Sequence, residues 1–279
     1  MTDTGTSRPP LDRARLATAT ATAATPWRTV EVVAATPSTN ADVAARARLG
    51  EAEGLVVVAE HQTAGRGRLD RGWETPARAA LTFSVLLRPV GVPDARWPWL
   101  PLVAGLAVVD GIADAGGPAC GLKWPNDLQH GGFKLAGVLA ERVETPDGPA
   151  AVLGIGLNVS TRPEELPVPT ATSLALAGCP GLDRTALLVS LLAALGRRYD
   201  AWNRSAGDPA RGVLDDYRRH CVTIGQPVRI HLPSGAILQG VAVEVDAAGA
   251  LVVESGGRRV TVSAGDVVHV RPGGNPGMP

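Results

Sequence analysis

The sequence predicts an α/β protein in which a mixed-sheet domain at residues 28–220 is followed by a small β-barrel at 221–272. In the first part, apolar strand-like runs alternate with helix-like segments, as in α/β and α+β domains. From residue 222 onward, short runs separated by turn residues are typical of a small barrel. Residues 1–27 and 273–279 lack these patterns, so we expect a disordered N-terminal tail and a short C-terminal tail.

Each predicted element follows from its local pattern. Residues 54–60 are almost continuously apolar, which predicts a strand buried on both faces. Thr39 and Asp42 have capping-box spacing at the start of an alanine-rich helix. The predicted strands of the first domain are 30–35, 54–60, 80–88, 133–143 and 150–158, and its helices are 41–49, 98–115, 183–202 and 209–220. The barrel strands are predicted at 227–231, 236–245, 251–254, 258–263 and 267–270.

Composition and charge exclude several classes of function. The formal net charge of zero provides no broad electrostatic surface for nucleic acid or acidic membranes. We expect no signal peptide, because the N-terminus lacks an apolar run long enough for one. We expect no membrane span, because no later segment has eighteen uninterrupted apolar residues. Cys120, Cys179 and Cys221 are widely separated and lack metal or redox spacing, which indicates buried thiols in a reducing compartment. The protein is therefore predicted to be cytoplasmic, with no DNA or membrane partner.

Lysine is almost absent from this chain. Among 27 lysines and arginines only Lys123 and Lys134 are lysines, and both lie in one short segment. An ammonium is a compact point charge, whereas a guanidinium is a broad planar fork. The pair indicates positions where a point charge must reach an anion, although chance in an arginine-rich chain is an alternative.

A glycine- and arginine-rich segment, GRGRLDRGW at residues 65–73, lies between two predicted strands. Glycines let the backbone approach a ligand, and arginines pair with phosphate or carboxylate oxygens. The segment matches neither a Walker loop nor a dinucleotide fingerprint. It indicates an anion-binding loop, and the alternative is a solvated flexible loop.

A second polar cluster, KWPND at residues 123–127, combines a cation, an aromatic ring, an amide and a carboxylate. Such a set can hold a polar heterocycle with a phosphate, whereas a turn with an incidental polar rim is the alternative. Lys134 follows in a predicted strand with Ala136, Val138 and Ala140 on its own face. A charge on an apolar face is costly unless an anion compensates it. We therefore expect a ligand anion near Lys134, with a purely structural lysine as the alternative.

A third segment, GIGLN at residues 154–158, ends a predicted strand with two glycines and an amide. Gly154 and Gly156 could pack closely against a ligand, and a sharp strand exit accounts for them equally well.

Together these segments resemble the biotin protein ligases. The resemblance rests on Ser38, Thr39, Asn40, Gln62 and the segments 65–73, 123–127, 134–137 and 154–158, in the order of the family. It covers nearly the whole folded chain, including the C-terminal barrel. Lipoate ligases share the catalytic fold but lack the combination of the Gly/Arg loop with the KWPND segment, so they are the weaker match.

The resemblance implies a catalytic domain of the biotin/lipoate ligase type and a C-terminal SH3-like barrel. It also implies a two-step reaction. With Mg²⁺ present, the biotin carboxylate attacks the α-phosphate of ATP, and biotinyl-5′-AMP and pyrophosphate form. A lysine on the biotin carboxyl carrier domain of an acyl-CoA or pyruvate carboxylase then takes the biotin. We expect a monomer or a weak homodimer.

The resemblance also assigns roles to residues. Lys134, Asp127 and Arg68 are the expected catalytic residues, with Lys134 contacting the biotin carboxyl and α-phosphate. The expected biotin-binding residues are Ser38, Thr39, Asn40, Gln62, Gly65, Arg66, Gly67, Arg68, Lys134 and Gly137. The expected nucleotide-binding residues are Arg66, Arg68, Arg71, Trp73, Lys123, Asn126 and Asn158. No metal ligand is assigned.

Two features depart from the family pattern. Asp70 stands where the family loop has glycine. The aspartate adds a negative charge to the loop, but it tolerates a left-handed backbone better than most residues do. Fewer than thirty residues precede the first predicted strand, and they show no two-helix pattern. A biotin-responsive DNA-binding regulator is therefore a weaker alternative. Lys134 and Asp127 argue against a catalytically inactive biotin-binding module.

Overall fold

The computed structural model describes residues 8–22, 25–69 and 71–270. Its helices are α1 Arg13–Thr22, α2 Thr39–Arg48, α3 Leu100–Asp114, α4 Arg184–Arg204 and α5 Val213–His220, with 3-10 helices at Asp94–Trp99 and Pro163–Glu165. Its strands are β1 Thr29–Val33, β2 Leu55–Ala59, β3 Gly65–Arg66, β4 Gly72–Trp73, β5 Ala80–Leu87, β6 Gly121–Lys123, β7 Asp127–His130, β8 Phe133–Val143, β9 Ala150–Asn158, β10 Pro227–His231, β11 Ile237–Val245, β12 Leu251–Ser255, β13 Arg258–Val262 and β14 Asp266–His269.

The larger sheet has seven strands in the order β1-β2-β5-β9-β8-β7-β6. β1 and β2 are parallel, and the other neighbouring pairs are antiparallel, so the predicted mixed sheet is confirmed. All five residues of β2 are buried, as its continuous apolar run predicted. Helix α2 packs on one face of the sheet, and α3 with α4 forms the main core on the other.

The two long helices approach each other very closely. A Cβ atom on Gly111 of α3 would lie 2.8 Å from the Leu191 Cα atom of α4, so only glycine fits at this crossing. This contact holds α3 and α4 together on the face of the sheet opposite to α2.

The C-terminal sheet has five antiparallel strands in the order β13-β12-β11-β10-β14. Two buried tryptophans of the first domain donate indole hydrogen bonds to its turn residues. The indole of Trp99 reaches the Ala247 carbonyl oxygen at 3.0 Å, and that of Trp124 reaches the Gly249 carbonyl oxygen at 2.9 Å. These bonds fasten the C-terminal sheet beside the β6–β7 hairpin.

The N-terminal segment differs from the predicted disordered tail. Residues 13–22 form α1, and the side chains of Leu11 and Leu16 are buried in the main core. Arg8 pairs with Glu165 at 2.5 Å and donates to the Ser160 carbonyl oxygen at 2.8 Å. The prediction is wrong for residues 8–22, because two leucines suffice to anchor an otherwise alanine- and threonine-rich segment. Residues 1–7 and the predicted tail at 273–279 lie outside the described residues.

A buried ion pair secures this segment. The guanidinium of Arg184 donates to Glu60 Oε2 at 2.7 Å, and both side chains are almost fully buried. The other carboxylate oxygen of Glu60 accepts a hydrogen bond from the Leu11 backbone at 2.6 Å, and Arg184 also donates to the Pro9 carbonyl oxygen. Because buried charges must be paired and hydrogen-bonded, the N-terminal segment completes this pair.

Among the described residues, no helix is both long and apolar enough to cross a membrane. The three cysteines are free, and only Cys221 is buried, whereas Cys120 and Cys179 are partly exposed. Burial raises the pKa of the Cys120 thiol to about 11.

Leu16→Ala should lower the free energy of unfolding by about 2 to 5 kcal/mol, because it removes a side chain that is 1% exposed. Urea unfolding measures the change. Leu49→Ala is the control, since Leu49 is 86% exposed and its loss should stay within about 0.5 kcal/mol. Equal stabilities of the two variants would show that the N-terminal segment does not contribute to the core.

Candidate active site

One pocket collects most of the residues predicted from the sequence. It lies between the start of α2, the β3–β4 loop, the β6–β7 hairpin and strands β8 and β9. Its predicted lining residues are Ser38, Thr39, Asn40, Gln62, Arg66, Gly67, Arg68, Arg71, Trp73, Asn126, Asp127, Lys134 and Gly137. Gly65, Lys123 and Asn158 were also predicted but do not line it. Gly154 and Gly156, which the sequence analysis also singled out, line the pocket as well. Lining residues with no role of their own in the prediction are Leu69, Gly72, Thr82, Val138, Leu139, Ile155, Gly265 and Asp266.

At one end of the pocket, Gln62 is held by the first residue of α2. Its Oε1 atom accepts hydrogen bonds from the Thr39 backbone at 2.8 Å and the Thr39 hydroxyl at 3.0 Å. The predicted capping box is wrong, because the Thr39 hydroxyl contacts Gln62 and Ser84, and Asp42 instead accepts a bond from Thr36. The hydroxyl expected to cap the helix therefore belongs to the pocket.

The Gly/Arg loop is folded against the pocket. Gly65 pairs with Trp73, and Arg66 pairs with Gly72, so β3 and β4 form a short hairpin. A Cβ atom on Gly65 would lie 2.3 Å from the Trp73 carbonyl oxygen and 2.7 Å from Gln62 Nε2. Gly65 thus shapes the pocket without lining it. At the hairpin tip it is Leu69 that has a left-handed backbone, with φ 55°, while Asp70 lies outside the described residues.

Each arginine of the loop contacts a different element. Arg66 pairs with Glu141 of β8 at 3.1 Å, and Arg68 donates to the Asn126 side-chain oxygen at 3.1 Å. Arg71 forms two hydrogen bonds with Asp266 of the C-terminal sheet. An anion that enters the pocket would therefore have to displace a side-chain oxygen of the protein from each guanidinium group.

Burial and neighbouring charges act in opposite directions on these groups. Burial lowers the pKa of Arg68, against the opposing effects of Asp127 and Asp266. Burial alone would raise the pKa of Asp266, but its bond to Arg71 holds that pKa below the usual value. Arg68 stays protonated, because an arginine pKa begins far above neutral.

Lys134 does not lie on the apolar face predicted for it. The β7–β8 register pairs Leu128 with Ala136 but Gln129 with Lys134, so Leu135 is an extra residue in a β-bulge. The bulge reverses which face of β8 the Lys134 side chain lies on. Its ammonium lies on the Gly137 side, 3.4 Å from where a Cβ atom on Gly137 would be. The predicted shared face with Ala136, Val138 and Ala140 is therefore wrong.

The anion next to Lys134 is a carboxylate of the same pocket. Lys134 Nζ lies 2.7 Å from Asp127 Oδ1, and it lies 6.0 Å from the centre of the Trp73 ring. Asp127 is opposite Gly137 in the β7–β8 pair, which places its side chain on the same face. Without a ligand, Asp127 thus supplies the compensation that the sequence analysis expected from a ligand.

Two predicted residues lie at the margin of the site. Lys123 is opposite Asp127 in the β6–β7 pair, and burial lowers its pKa despite the nearby Asp127 and Asp266. Asn158 is buried and donates to the Thr172 carbonyl oxygen at 2.9 Å. Its amide holds a neighbouring loop in place.

The glycines of β9 make room for two pocket side chains. A Cβ on Gly156 would lie 2.4 Å from the Trp73 ring, and a Cβ on Gly154 would lie 2.1 Å from Asn40 Oδ1. Their role is thus close packing against Trp73 and Asn40, which neither sequence interpretation specified.

Sequence reasoning missed the contribution of the C-terminal sheet. Gly265 and Asp266 line the pocket although nearly two hundred residues separate Asp266 from its partner Arg71. No local pattern marks such a contact. Among the described residues, no group of three or more His, Cys, Asp or Glu side chains could hold a metal ion.

Comparisons with known proteins identify relatives of both parts of the chain. Residues 32–158 match the biotin/lipoate A/B protein ligase family, and residues 223–270 match the biotin protein ligase C-terminal domain. The chain is 48% identical over 275 residues to a biotin–[acetyl-CoA-carboxylase] ligase of Mycobacterium tuberculosis, covering 97% of this chain and 100% of that protein.

More distant relatives share a smaller part of the chain or the fold alone. A bifunctional ligase/repressor of Bacillus subtilis is 34% identical over 207 residues, which cover 73% of this chain and 62% of that protein. A biotin protein ligase from Aquifex aeolicus, solved in complex with biotin and ATP, has a similar fold with a TM-score of 0.74 at 24% identity. The match covers 88% of this chain and 100% of that one.

Asp266→Asn should loosen the Gly/Arg loop by weakening its bond to Arg71. Amide hydrogen exchange in the β3–β4 hairpin should accelerate by about two- to fivefold, since a partly exposed ion pair contributes up to about 1 kcal/mol. Asp114→Asn is the matched control, because its ion pair with Arg197 joins α3 to α4 away from the pocket. An unchanged exchange rate in the hairpin would contradict the anchoring role of Asp266.

Proposed function

The chain belongs to the biotin protein ligases, and from that membership and its pocket we propose that it attaches biotin to a carboxylase in two steps. In the first step, a biotin carboxylate oxygen bonds to the α-phosphorus of ATP, and the bond from that phosphorus to pyrophosphate breaks. In the second step, a lysine amine of a biotin carboxyl carrier domain attacks the acyl carbon of biotinyl-5′-AMP, and AMP leaves.

The position of Lys134 carries this proposal. Its ammonium lies in the pocket that Gln62 and the loop arginines also line, 2.7 Å from Asp127 Oδ1 and 6.0 Å from the centre of the Trp73 ring. A fixed ammonium there can contact both the biotin carboxylate and the α-phosphate and stabilise the charge that develops during transfer. Asp127, once Lys134 turns toward the phosphate, is free to orient the incoming acceptor amine.

The two ends of the pocket suit the two substrates. We assign the biotin head group to the end formed by Ser38, Thr39 and Gln62, where an amide and two hydroxyls can pair with the polar ureido ring. The remaining biotin residues of this proposal are Asn40, Gly65, Arg66, Gly67, Arg68 and Gly137.

We assign the nucleotide to the end that holds Trp73 and the loop arginines. The Trp73 indole nitrogen is buried with no hydrogen-bond partner among the described residues, and its ring can pack against a base. Arg66, Arg68 and Arg71 can pair with phosphate oxygens, and Asn126 can support them. Lys123 and Asn158, which do not line the pocket, complete the nucleotide-binding set of this proposal.

Mg²⁺ is part of the proposal only as the ion that accompanies ATP. Asp127 and Asp266 are the acidic lining residues of the pocket, and both are engaged with cations. Magnesium usually keeps several waters and is bound mainly through substrate phosphates. We therefore propose no set of protein ligands for it, and no step here depends on it.

The acceptor is proposed to be a carrier domain of an acyl-CoA or pyruvate carboxylase in the cytoplasm. We propose no DNA-binding role, in keeping with the net charge of zero. A gel-shift assay with biotin and ATP present tests that point, since a shifted promoter fragment would favour the regulator alternative.

The central experiment mixes the purified protein with biotin, Mg-ATP and a biotin carrier domain and measures the mass of the acceptor. The expected result is an acceptor heavier by one biotinyl group. Replacing biotin with lipoate is the control, and lipoylation without biotinylation would make the protein a lipoate-type ligase.

Lys134→Ala should slow adenylate formation by roughly a hundredfold or more, as for loss of a main transition-state donor. Lys134→Arg should restore little of the adenylate-formation rate, because the guanidinium group differs from the ammonium in shape and hydration. Pyrophosphate release measures both rates. Near-normal activity of the Arg variant would contradict the point-charge role.

Arg68→Gly should leave adenylate formation largely intact but release biotinyl-5′-AMP, because the loop loses its bond to Asn126 and a phosphate contact. The released adenylate should label lysines of an added bystander protein. Labelling of the enzyme itself should be low, since it offers only Lys123, Lys134 and its α-amine.

Arg197→Ala is the matched control, because Arg197 pairs with Asp114 far from the loop. The lid role of Arg68 would be refuted if the Arg68→Gly variant still formed adenylate but labelled the bystander protein no more than the Arg197→Ala control does.

A further inference from the structure

Glu141 lies beside the pocket, bonded to two of its lining residues, and has no role in the reaction proposed above. It follows Gly137 and Leu139 on the face of β8 that the bulge turns toward the pocket. One atom of its carboxylate, Oε2, accepts two hydrogen bonds. Asn40 Nδ2 donates at 2.6 Å, and Arg66 Nη2 donates at 3.1 Å. The same oxygen thus joins the floor of the pocket to the Gly/Arg loop.

The bond to Asn40 leads into a buried chain of hydrogen bonds. Asn40 Oδ1 accepts from the Ser84 hydroxyl at 2.5 Å, and that hydroxyl lies 2.7 Å from Thr39 Oγ1. Asn40 is 4% exposed and Ser84 is fully buried, so these groups cannot turn to water for alternative partners. When the Thr39 hydroxyl donates to Ser84, Thr39 still holds Gln62, the residue assigned to the biotin head group, because its backbone N–H donates to Gln62 Oε1 at 2.8 Å.

The direction of this chain depends on the charge at its end. Asn40 has its carbonyl oxygen pressed against the bare backbone of Gly154, and its amide nitrogen faces Glu141. An anionic acceptor holds the amide in this orientation, because charge-assisted hydrogen bonds are stronger than neutral ones. The Ser84 hydroxyl then donates to Asn40 Oδ1 and accepts from the Thr39 hydroxyl, and hydrogen-bonded groups in such a chain polarise one another.

The bond to Arg66 acts on the opposite wall of the pocket. Arg66 is in β3, at the start of the hairpin that covers the site, and its ion pair with Glu141 crosses from that hairpin to β8. The two bonds use one oxygen, so a shift of the hairpin changes the acceptor available to Asn40. A shift of Asn40 likewise changes the acceptor available to Arg66.

We propose that Glu141 is a positioning residue that couples closure of the Gly/Arg loop to the biotin end of the pocket. It holds Arg66 over the site and, through Asn40, Ser84 and Thr39, sets the orientation of Gln62. The assignment rests on the proposed biotin-activating function. It predicts that the charge of Glu141 affects biotin affinity more than ATP affinity. Glu141 pairs with Arg66, whereas Arg68 and Arg71 of the nucleotide end have other partners.

Glu141→Gln tests this role because the new amide keeps the length and an acceptor for Asn40 but loses the ion pair with Arg66. In steady-state adenylate formation, KM for biotin should rise about three- to tenfold, the order expected for loss of one charge-assisted hydrogen bond at a half-exposed site. KM for ATP should stay within about twofold, and hydrogen exchange in the β3–β4 hairpin should accelerate in the biotin-bound enzyme.

Glu144→Gln is the matched control. Glu144 follows β8 directly and forms an exposed ion pair with Arg142 outside the pocket, so its loss should change neither KM. Melting temperatures of all variants separate a positioning effect from a loss of folded protein. Glu141→Ala, which removes both bonds, should give a larger rise in KM for biotin, and Glu141→Gln decides the question if the alanine variant does not fold.

A double-mutant cycle with Arg66→Gln completes the test. If Glu141 acts on biotin through Arg66, adding Glu141→Gln to Arg66→Gln should raise KM for biotin by less than twofold, because coupled residues are not additive. Fully additive effects, equal rises in both KM values, or an unchanged KM for biotin would each overturn the positioning role. A wild-type enzyme that forms no biotinyl-5′-AMP would instead refute the proposed function.

Discussion

Three ion pairs around one pocket compensate the cations that are gathered there. Arg66 pairs with Glu141, Arg71 with Asp266 and Lys134 with Asp127, and each carboxylate comes from a different strand. Cations gathered at one site repel one another, so the folded chain must supply anions while substrates are absent. The pairs of Arg66 and Arg71 also hold the Gly/Arg loop against the pocket. In the reaction proposed above, substrate binding is therefore an exchange of partners, in which a carboxylate or phosphate of the ligand replaces a carboxylate of the protein.

The C-terminal sheet takes part in this arrangement and is more than an appended module. It provides Asp266 to the loop, and its turns accept the indole hydrogen bonds of Trp99 and Trp124. Trp124 belongs to the KWPND segment, so the hairpin that carries Asp127 is fastened by the C-terminal sheet. Movement of that sheet would change both the loop anchor and the hairpin. The family match to both parts of the chain agrees with a site that requires both.

Local patterns predicted most elements because hydrophobic periodicity reports burial within one segment. The bounds of β8 and β9 agree with the prediction at both ends, as does the full burial of β2. The β6–β7 hairpin was missed because its strands have only three and four residues. Helix α1 was missed because two leucines, Leu11 and Leu16, provide its burial in a segment of otherwise weak pattern.

The amino-acid sequence by itself determined the chemistry of this protein, because the residue types and their order already required an anion-binding loop, a point cation and a polar cluster. Only the tertiary structure decided which partner each charge has. A single bulge at Leu135 places Lys134 on the face of Asp127, and Asp266 comes from the far end of the chain. Strand register and long-range contacts depend on how whole segments pack, so no local pattern specifies them.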